Sequence, residues 1–387
     1  MPWNRRLVRK KKKKLHRYYD YSLLFTIIFL YVFGLIMIYS SSSYNAQISG
    51  LKPSYYMQRQ ALIGLAGFFA MLVISKLDYH MFAKFTIPAV VVSYACMILV
   101  NFTPLGIEVN GKKRWLGYGS LRFQPAELVK ITVILVLAVI ITKMGKKINE
   151  WSTWGIIILL IAPLGLLVMM KNLSSGIIIF GIGILMMFIA CKRKWPFVLF
   201  ALLVVAVIAF AAPVAIALEG MGILHEYQLE RILVWKNPEA YPKDGGYQVL
   251  QGLYAIGSGG LLGKGLGQSI QKLSFLPEPQ NDMIFAIICE ELGLFGAVSV
   301  ILIFLFMIYR FMRIASSAPD ILGAFLVIGV MAHIAIQVIL NIAVVTSVIP
   351  NTGVTLPFIS YGGTSVLFLM AEMGMVLSVS NRIVLER

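Results

Sequence analysis

Long runs of apolar residues, separated by short polar connections, fill the chain from residue 19 almost to its C-terminal end. A helix needs about 20 apolar residues to cross the hydrocarbon core of a bilayer. Ten segments have roughly that length: 19–41, 58–76, 80–101, 124–142, 153–170, 175–191, 196–218, 283–309, 321–347 and 364–380. The pattern predicts an all-α polytopic membrane protein with ten transmembrane helices, in which residues 19–387 form a single membrane domain.

The composition agrees with this prediction. Hydrophobic residues make up 59% of the 387 residues and charged residues only 13%, which is outside the range of soluble proteins. The first apolar segment is full length and has no small-residue cleavage site, so we interpret it as a retained span rather than a signal peptide. Cys96, Cys191 and Cys289 lie in or beside apolar segments and are expected to be buried thiols.

The formal net charge is +17, and residues 1–18 form a basic tail that contains RRLVRKKKKKLHR. We expect the tail to stay in the cytoplasm, where it sets the orientation of the chain and contacts anionic lipid. Nucleic-acid binding is disfavoured because the basic run lacks interleaved aromatic residues. With the tail inside, 21 of the 34 Lys and Arg, tail included, fall inside, which predicts two cytoplasmic termini and an even number of spans.

Two connections are long, residues 102–123 and 219–282, and this topology places both outside the membrane. The second is rich in Leu, Ile, Tyr and Trp, so disorder is not expected, and a long ordered connection is usually functional. Within it, residues 247–256 are predicted to form a short helix that lies on the membrane.

The shorter outer connection carries Lys112, Lys113, Arg114 and Arg122 against one acidic residue, Glu108. Short connections on the translocated side normally avoid cations. Two interpretations stay open at this stage. The cluster is either simply tolerated, or it forms an anion site whose guanidinium and ammonium groups suit phosphate oxygens.

Polar groups also occur inside the predicted spans. Glu127 and Lys130 are three residues apart on one helix face, which predicts an ion pair that is either structural or in contact with substrate. His333, Gln337 and Asn341 recur at steps of four and predict interhelical hydrogen bonds. This His has no second imidazole or carboxylate at ligand spacing, so no metal site is predicted there.

The segment 350–365, PNTGVTLPFISYGGTS, is dense in Pro, Gly and hydroxyl residues directly before the last span. Irregular backbone near a membrane is tolerated when it is buried in protein or lines a cavity. We therefore expect this segment to fold into the outer mouth of the helical bundle.

Asp282 lies where the apolar segment MIFAII begins, in LPEPQNDMIFAIICEELG. By position it predicts an ordinary N-cap. It also lies at the same membrane face as the cation cluster, where a carboxylate could accept a proton from an attacking hydroxyl. Glu290 and Glu291 are about 12 Å further along the helix axis and are expected to belong to an internal hydrogen-bond network.

Four blocks carry a family resemblance: KRWLGYGSLRFQPAELVK, GYQVLQGLYAIGSGGLLGKGLGQS, LPEPQNDMIFAIICEELG and LPFISYGGTS. In this order they closely resemble the SEDS (shape, elongation, division and sporulation) family, and they are more similar to its division members (FtsW) than to its elongation members (RodA). The resemblance implies a ten-span peptidoglycan glycosyltransferase of the cytoplasmic membrane that polymerises lipid II on the outer side. Implied partners are the nascent glycan strand, a class B penicillin-binding protein, other division proteins and membrane lipids, without nucleic acid.

The resemblance also implies site residues. The essential aspartate of the family falls on Asp282, and its basic pair falls on Arg114 and Lys130. Further residues of the matching blocks are implied as substrate contacts: Glu127, Trp115, Lys112, Lys113, Gln280, Ser360, Tyr361 and Gly362. A divalent cation, Mg²⁺ or Mn²⁺, is a candidate cofactor whose ligands the sequence leaves unidentified.

Two positions depart from the family pattern. The family often has His-Thr before the aspartate, whereas this chain has Gln280-Asn281, and it often has Pro-Asp-x-Gly where this chain has KNLSSG at 171–176. No acid–base role is therefore transferred to either segment.

The resulting hypothesis is an inverting attack with Asp282 as general base, while Arg114 and Lys130 stabilise the departing pyrophosphate. Alternatives are a flippase for the same lipid, a non-catalytic division scaffold, or an elongation polymerase of the RodA type. Transporters tend to have repeated halves and polar sites at the membrane midplane. This chain shows no visible repeat, and its unusual residues crowd the outer face.

Overall fold

Apolar helices make up most of the protein. The computed structural model describes residues 16–109, 112–118, 121–220, 226–241 and 246–385. Seven helices in this part of the chain are long and apolar enough to cross a membrane, and three further apolar helices are shorter. The chain is therefore a multi-pass membrane protein.

The described segments contain fourteen α-helices, five short strands and two 3₁₀ helices, at Gly145–Asn149 and Pro238–Ala240. In chain order the α-helices and strands are β1 (His16–Tyr18), α1 (Tyr21–Ile48), α2 (Tyr55–Lys76), α3 (Tyr79–Lys84), α4 (Thr86–Phe102), β2 (Gly106–Val109), β3 (Lys112–Tyr118), β4 (Leu121–Phe123), α5 (Pro125–Met144), α6 (Trp151–Met169), α7 (Leu173–Ala190), α8 (Trp195–Ala209), α9 (Ala211–Gly220), α10 (Glu226–Lys236), α11 (Gly246–Gly259), α12 (Ile284–Ser316), α13 (Ile321–Val345), α14 (Thr364–Ser380) and β5 (Ile383–Leu385).

Two predicted spans are each divided between two helices. The segment 80–101 is split between α3 and α4, and the segment 196–218 between α8 and α9. Pro88 and Pro213 each stand at the third position of the second helix. Proline has no N–H to bond to the preceding turn, and it is tolerated in the first turn of a helix but not in the interior. The proline in each segment therefore marks the start of a new helix.

The all-α prediction is wrong for two short regions. The connection 102–123 contains an antiparallel three-stranded sheet in which β3 lies between β2 and β4. Asn110-Gly111, between β2 and β3, is a dipeptide typical of tight hairpin turns, and this signal was overlooked. A second antiparallel pair, β1 with β5, joins the two ends of the described chain.

The predicted span 283–309 is also different in the structure. Helix α12 runs to Ser316 and is interrupted at Gly293, whose backbone has φ 67° and ψ −167°. A Cβ atom at this position would lie 2.3 Å from the Gly263 nitrogen, so only glycine fits. The segment 260–265 pairs with the break, since Lys264 N donates to Glu290 O at 3.0 Å and Leu294 N to Gly260 O at 2.9 Å.

The connection 219–282, predicted to lie outside, contains regular helices where it is described, in agreement with the expectation that it is not disordered. Helix α9 extends into it to Gly220, and α10 and α11 follow. Helix α11 is longer than the predicted 247–256, and its small residues, such as Gly252, Ala255 and Gly259, are buried. A Cβ atom on Gly259 would lie 1.9 Å from Cys289 O, so α11 packs directly on the first half of α12.

Charged groups at one end of the bundle tie several helices together. Arg310 near the end of α12 binds the buried Asp20 before α1, with Nη2 2.7 Å from Oδ2. His80 in α3 bridges Asp78 and Asp320, at 2.7 Å from each. Because β1 pairs with β5, the start of α1 and the end of α14 lie at this same end.

Candidate active site

Asp282 lies in a turn directly before α12. The N-cap of α12 is Met283, so the prediction that Asp282 caps the helix is wrong by one residue. Its main-chain oxygen accepts a hydrogen bond from Asn341 Nδ2 of α13 at 2.8 Å, and the residue is half-exposed. The turn is therefore held from the neighbouring helix, and Asp282 itself is only partly buried.

The polar stripe on α13 holds the segment 352–356 beside this turn. The second N–H of Asn341 donates to Val354 O at 2.7 Å, and Gln337 Nε2 donates to Thr355 O at 3.0 Å. This confirms the predicted hydrogen bonding from the stripe. A Cβ atom on Gly353 would lie 3.7 Å from Asp282 Oδ2, so this backbone borders the carboxylate.

The predicted contacts in SYGG form a second wall of the site. Tyr361 N donates to Gln280 O at 2.9 Å, which fixes Ser360, Tyr361 and Gly362 next to the Asp282 turn. Ser360 Oγ is buried and accepts from Leu356 N at 2.8 Å. Most of the segment 354–360 is buried, as predicted for irregular backbone inside the bundle mouth.

Two residues of α2 support this wall and were missed in the sequence. Gln60 is fully buried, and its Oε1 accepts from Gly363 N at 3.3 Å while Nε2 donates to Ser360 O at 3.4 Å. The Arg59 side chain hydrogen-bonds to Tyr361. Burial is the largest influence on Tyr361 and raises its pKa, while Arg59 opposes the shift. The polar run QRQ at 58–60 was the available signal.

Arg114 reaches the same end of the bundle through β3. Its Nε donates to Lys171 O at 2.8 Å, directly before Asn172, whose side chain caps α7. Ser174 in the first turn of α7 donates to Thr352 O. Consecutive contacts therefore connect the cation-bearing sheet, the 171–174 junction and the segment that borders Asp282.

The other candidate residues of this connection, three cations and one tryptophan, lie in the same small sheet. Lys113 and Trp115 are half-exposed on β3, and Arg122 is exposed on β4. Lys112 is part of β3 by its backbone, while its side chain lies outside the described part of the structure. The sheet presents positive charge next to the start of α5.

The predicted ion pair on α5 is present. Lys130 Nζ lies 2.9 Å from Glu127 Oε2, and both side chains are buried. The pair lies in the first two turns of α5, next to the sheet that carries Arg114. The carboxylate of Glu127 balances the charge of the buried Lys130 ammonium group, so the pair as a whole has no net charge.

Glu290 and Glu291 form the internal network that the sequence predicted. Glu290 pairs with Lys264 at 2.7 Å, and Glu291 pairs with Lys272 at 2.8 Å. Ser40 of α1 also donates to Glu291, at 2.6 Å. Both carboxylates are fully buried, so they fasten the glycine-rich segment to α12 and are closed to substrate.

Oxygen atoms near Asp282 could bind a cation. The described residues contain no group of three or more His, Cys, Asp or Glu side chains that could hold a metal ion. They do include four buried side-chain oxygen atoms without a hydrogen-bond partner: Gln280 Oε1, Asn281 Oδ1, Asn341 Oδ1 and Thr352 Oγ1. Gln280 and Asn281 directly precede Asp282 in the chain. Asn341 hydrogen-bonds to the Asp282 main chain, and Thr352 precedes Gly353, which borders the Asp282 carboxylate. Together with one carboxylate, these oxygen atoms are donors of the type that Mg²⁺ and Mn²⁺ accept.

Comparison with known proteins identifies the family. The model of the FtsW/RodA/SpoVE family, described as cell cycle protein, matches residues 21–383. Stage V sporulation protein E of Bacillus subtilis (strain 168) is 36% identical, over 94% of this chain and 97% of its own length. A probable peptidoglycan glycosyltransferase FtsW of Trichlorobacter lovleyi is 35% identical, over 94% of this chain and 93% of its own length.

Solved structures share the fold. A chain of a peptidoglycan synthase complex superposes with a TM-score of 0.76 at 24% identity, covering 94% of this chain and 98% of its own. The rod shape determining protein RodA of Thermus thermophilus superposes with a TM-score of 0.68 at 22% identity, covering 94% and 97%. Because the family model spans nearly the whole chain and relatives above 30% identity cover it almost completely, the chain belongs to the FtsW/RodA/SpoVE (SEDS) family.

Proposed function

We propose that this protein is a peptidoglycan glycosyltransferase that polymerises lipid II into β-1,4-linked glycan at the outer face of the cytoplasmic membrane during cell division. Two relatives that match nearly the whole chain carry the name probable peptidoglycan glycosyltransferase FtsW. The observation that carries the proposal is the position of Asp282. Asn341 holds its backbone, the residue is only partly buried, and it lies at the same end of the bundle as the cations of β3.

The proposed orientation uses ten crossings. Seven long and three shorter apolar helices supply them, and the pairing of β1 with β5 supports an even number. The basic tail, of which residues 1–15 lie outside the described part, assigns the end that contains Asp20 and Arg310 to the cytoplasm. Asp282 then faces the outside, where residues 219–282 form the large connection of a single membrane domain.

In the proposed reaction, Asp282 accepts the proton of the sugar 4-hydroxyl of the acceptor lipid II. The resulting oxygen nucleophile attacks the anomeric carbon of the growing glycan and displaces undecaprenyl pyrophosphate, so that the α configuration becomes β. Arg114 and Lys130 compensate the negative charge that develops on the leaving group. Pyrophosphate is already a good leaving group, so no separate general acid is required.

The surrounding residues are proposed to hold the headgroups. Cationic and aromatic side chains of β3 and polar groups near Asp282 would contact the sugars and phosphates: Lys112, Lys113, Trp115, Glu127, Gln280, Ser360, Tyr361 and Gly362. The lipid tails would lie between the apolar helices, so that both substrates remain in the membrane.

A divalent cation is part of the proposal, supported by the unpartnered oxygen atoms near Asp282. Asp282 together with Gln280 Oε1, Asn341 Oδ1 and Thr352 Oγ1 would hold Mg²⁺ or Mn²⁺ through hard oxygen ligands. When bound, the ion would add positive charge for the departing pyrophosphate. A class B penicillin-binding protein is the proposed partner, supported by the similarity to a chain of a peptidoglycan synthase complex.

The test uses the purified protein, with and without the penicillin-binding protein, and labelled lipid II. We expect the unmodified protein to form glycan chains and Asp282→Asn to lose at least about a hundredfold in rate while still binding lipid II. Asp78→Asn, at the opposite end of the bundle, is the matched control. Normal polymerisation by Asp282→Asn would refute the general base, and lipid translocation without any glycan would establish a flippase instead.

A further inference from the structure

We propose that a buried chain of side chains, Glu372–His333–Gln337, acts together with Asn341 to position Asp282 for the reaction. This inference rests on the proposed function and adds positioning residues to it. Glu372, His333 and Gln337 are not proposed to touch substrate or cation, whereas Asn341 is also a proposed cation ligand through its Oδ1. They are interior groups of α13 and α14, with exposed fractions between 0% and 4%.

The chain is continuous at hydrogen-bond distances. His333 Nδ1 lies 2.7 Å from Glu372 Oε2, and His333 Nε2 lies 2.8 Å from Gln337 Oε1. Gln337 Nε2 then donates to Thr355 O at 3.0 Å. A titratable pair inside the bundle is thereby connected to the irregular segment that borders the candidate active site.

The hydrogen bond from Gln337 to Thr355 O determines the direction of the other hydrogen bonds in this chain. Thr355 O can only accept, so Gln337 must turn its amide N–H towards it and its Oε1 towards His333. His333 Nε2 therefore donates its N–H to Gln337 Oε1. One further proton lies between Nδ1 and Glu372, on either atom. The pair is neutral overall, which suits a position inside the membrane.

Asn341 makes the second attachment. Both of its N–H groups donate to main-chain oxygens, at 2.8 Å to Asp282 and at 2.7 Å to Val354. It thus joins the turn before α12 to the connection between α13 and α14. Gln337 holds the next residue, Thr355, and Gly353 of the same segment borders the Asp282 carboxylate.

These contacts fix the backbone on two sides of Asp282, so their loss should move the carboxylate without removing it. A displacement of about 1 Å at a reacting group can lower a rate about a hundredfold. A purely structural role would instead lower the rate only to the extent that it lowers stability.

The experiment measures glycan polymerisation and thermal unfolding of purified variants with their partner present. For Gln337→Leu and Glu372→Leu we expect turnover at saturating lipid II to fall between about ten- and a hundredfold, with the half-saturating concentration within about twofold of the unmodified protein. Glu372→Gln should retain most of the turnover, because its amide N–H can still donate to His333 Nδ1. Ser378→Ala, which removes a buried hydrogen bond to Leu77 O at the other end of α14, is the matched control.

Wild-type turnover in both folded Leu variants would overturn the proposal, and so would a loss in Glu372→Gln as large as in Glu372→Leu. If Ser378→Ala lost as much turnover as the Leu variants at the same stability, the role of the Glu372–His333–Gln337 chain would be structural only. If the Leu variants do not fold, Gln337→Met replaces them, and amide hydrogen exchange at 350–356 should accelerate while exchange at 78–84 stays unchanged. Unchanged exchange at 350–356 would also overturn the proposal. This measurement needs no activity, so it still decides the positioning role if the unmodified protein makes no glycan.

Discussion

At the scale of the residue, the surroundings of each charged group decide what it can do. Glu290, Glu291 and Glu127 each contact a lysine and are closed to solvent, whereas Asp282 is half-exposed at the bundle mouth. A buried carboxylate with a close cation is neutralised in place, and breaking such a pair leaves an uncompensated charge. Among these four residues, Asp282 is the only one that is not buried.

The buried pair on α5 gives a prediction at this scale. Lys130→Met leaves Glu127 without its cation and should lower the free energy of unfolding by about 3–5 kcal/mol. The double variant Glu127→Gln with Lys130→Met removes both charges and should recover most of this loss in thermal unfolding. If Lys130 also stabilises the leaving pyrophosphate, the double variant will be stable and inactive. If the double variant is stable and polymerises normally, the Glu127–Lys130 pair has only a structural role.

At the scale of the element, proline and glycine determine where the apolar helices are interrupted. Pro88 and Pro213 each start a new helix inside a predicted span, and Gly293 divides α12. The break at Gly293 gives the segment 260–265 room to pair with the α12 backbone. Helix α11 packs on the first half of α12, where Lys264 and Lys272 also bind Glu290 and Glu291.

Gly293→Ala tests this arrangement. Its positive φ and the 2.3 Å approach to the Gly263 nitrogen should make alanine destabilising by at least about 1–3 kcal/mol. Gly257→Ala in α11 is the control, because a Cβ atom there has no neighbour within 4 Å among the described residues, and the change should be neutral or stabilise by up to about 1 kcal/mol. Thermal unfolding in detergent compares them. Similar melting temperatures for the two variants would contradict the proposed tight approach.

At the scale of the whole molecule, the contacts separate into two ends. One end contains the bridge of His80 with Asp78 and Asp320, and the other contains Asp282 and Arg114. Burial alone would lower the pKa of His80, but its hydrogen bonds to the two carboxylates raise it above its ordinary value. The pKa of Asp78 is lowered, first by the His80 N–H.

The pKa of Asp320 is also lowered, since hydrogen bonds from Gly323 N, Tyr79 and His80 outweigh the opposing effect of burial. The contribution of His80 to stability is therefore present below its unfolded pKa of about 6.5 and is lost as the pH rises through the higher folded value. The contributions of the carboxylates are present above about pH 3.9 and are lost as the pH falls through their lower folded values.

His80→Gln should therefore destabilise the protein more at pH 6 than at pH 9. The effect is expected to be small, because the His80 side chain is 52% exposed and water screens the pairs. Melting temperatures of the variant and the unmodified protein at both pH values provide the measurement. A larger difference at pH 9 would show that the sign is wrong.

The orientation of the bundle is a second prediction at this scale. In a background without the native cysteines, Lys52→Cys, between α1 and α2, should react with a membrane-impermeant maleimide applied to intact cells. Arg193→Cys, between α7 and α8, should react only after the membrane is opened. Both positions are exposed in the structure. The reverse pattern would place Asp282 on the cytoplasmic side and exclude polymerisation outside.

The sequence by itself determined what depends on neighbours within a few turns. The length and apolarity of the spans, the pairing of Glu127 with Lys130 at three residues, and the polar stripe on α13 all follow from helical periodicity. The sequence also contained signals for the two additional helix starts, at Pro88 and Pro213, and for the hairpin between β2 and β3, at Asn110-Gly111. Both signals were overlooked.

Only the tertiary structure decided which distant polar groups meet. Lys264 and Glu290 are 26 residues apart, His333 and Glu372 are 39 apart, and Gln60 reaches Gly363 across 303 residues. A periodic pattern shows that a face is polar, but every polar face could pair with several others. The packing of helices around Gly259, Gly263 and Gly293, where backbone meets backbone, selects one set of partners, because a buried polar group is stable only where its complement is also buried.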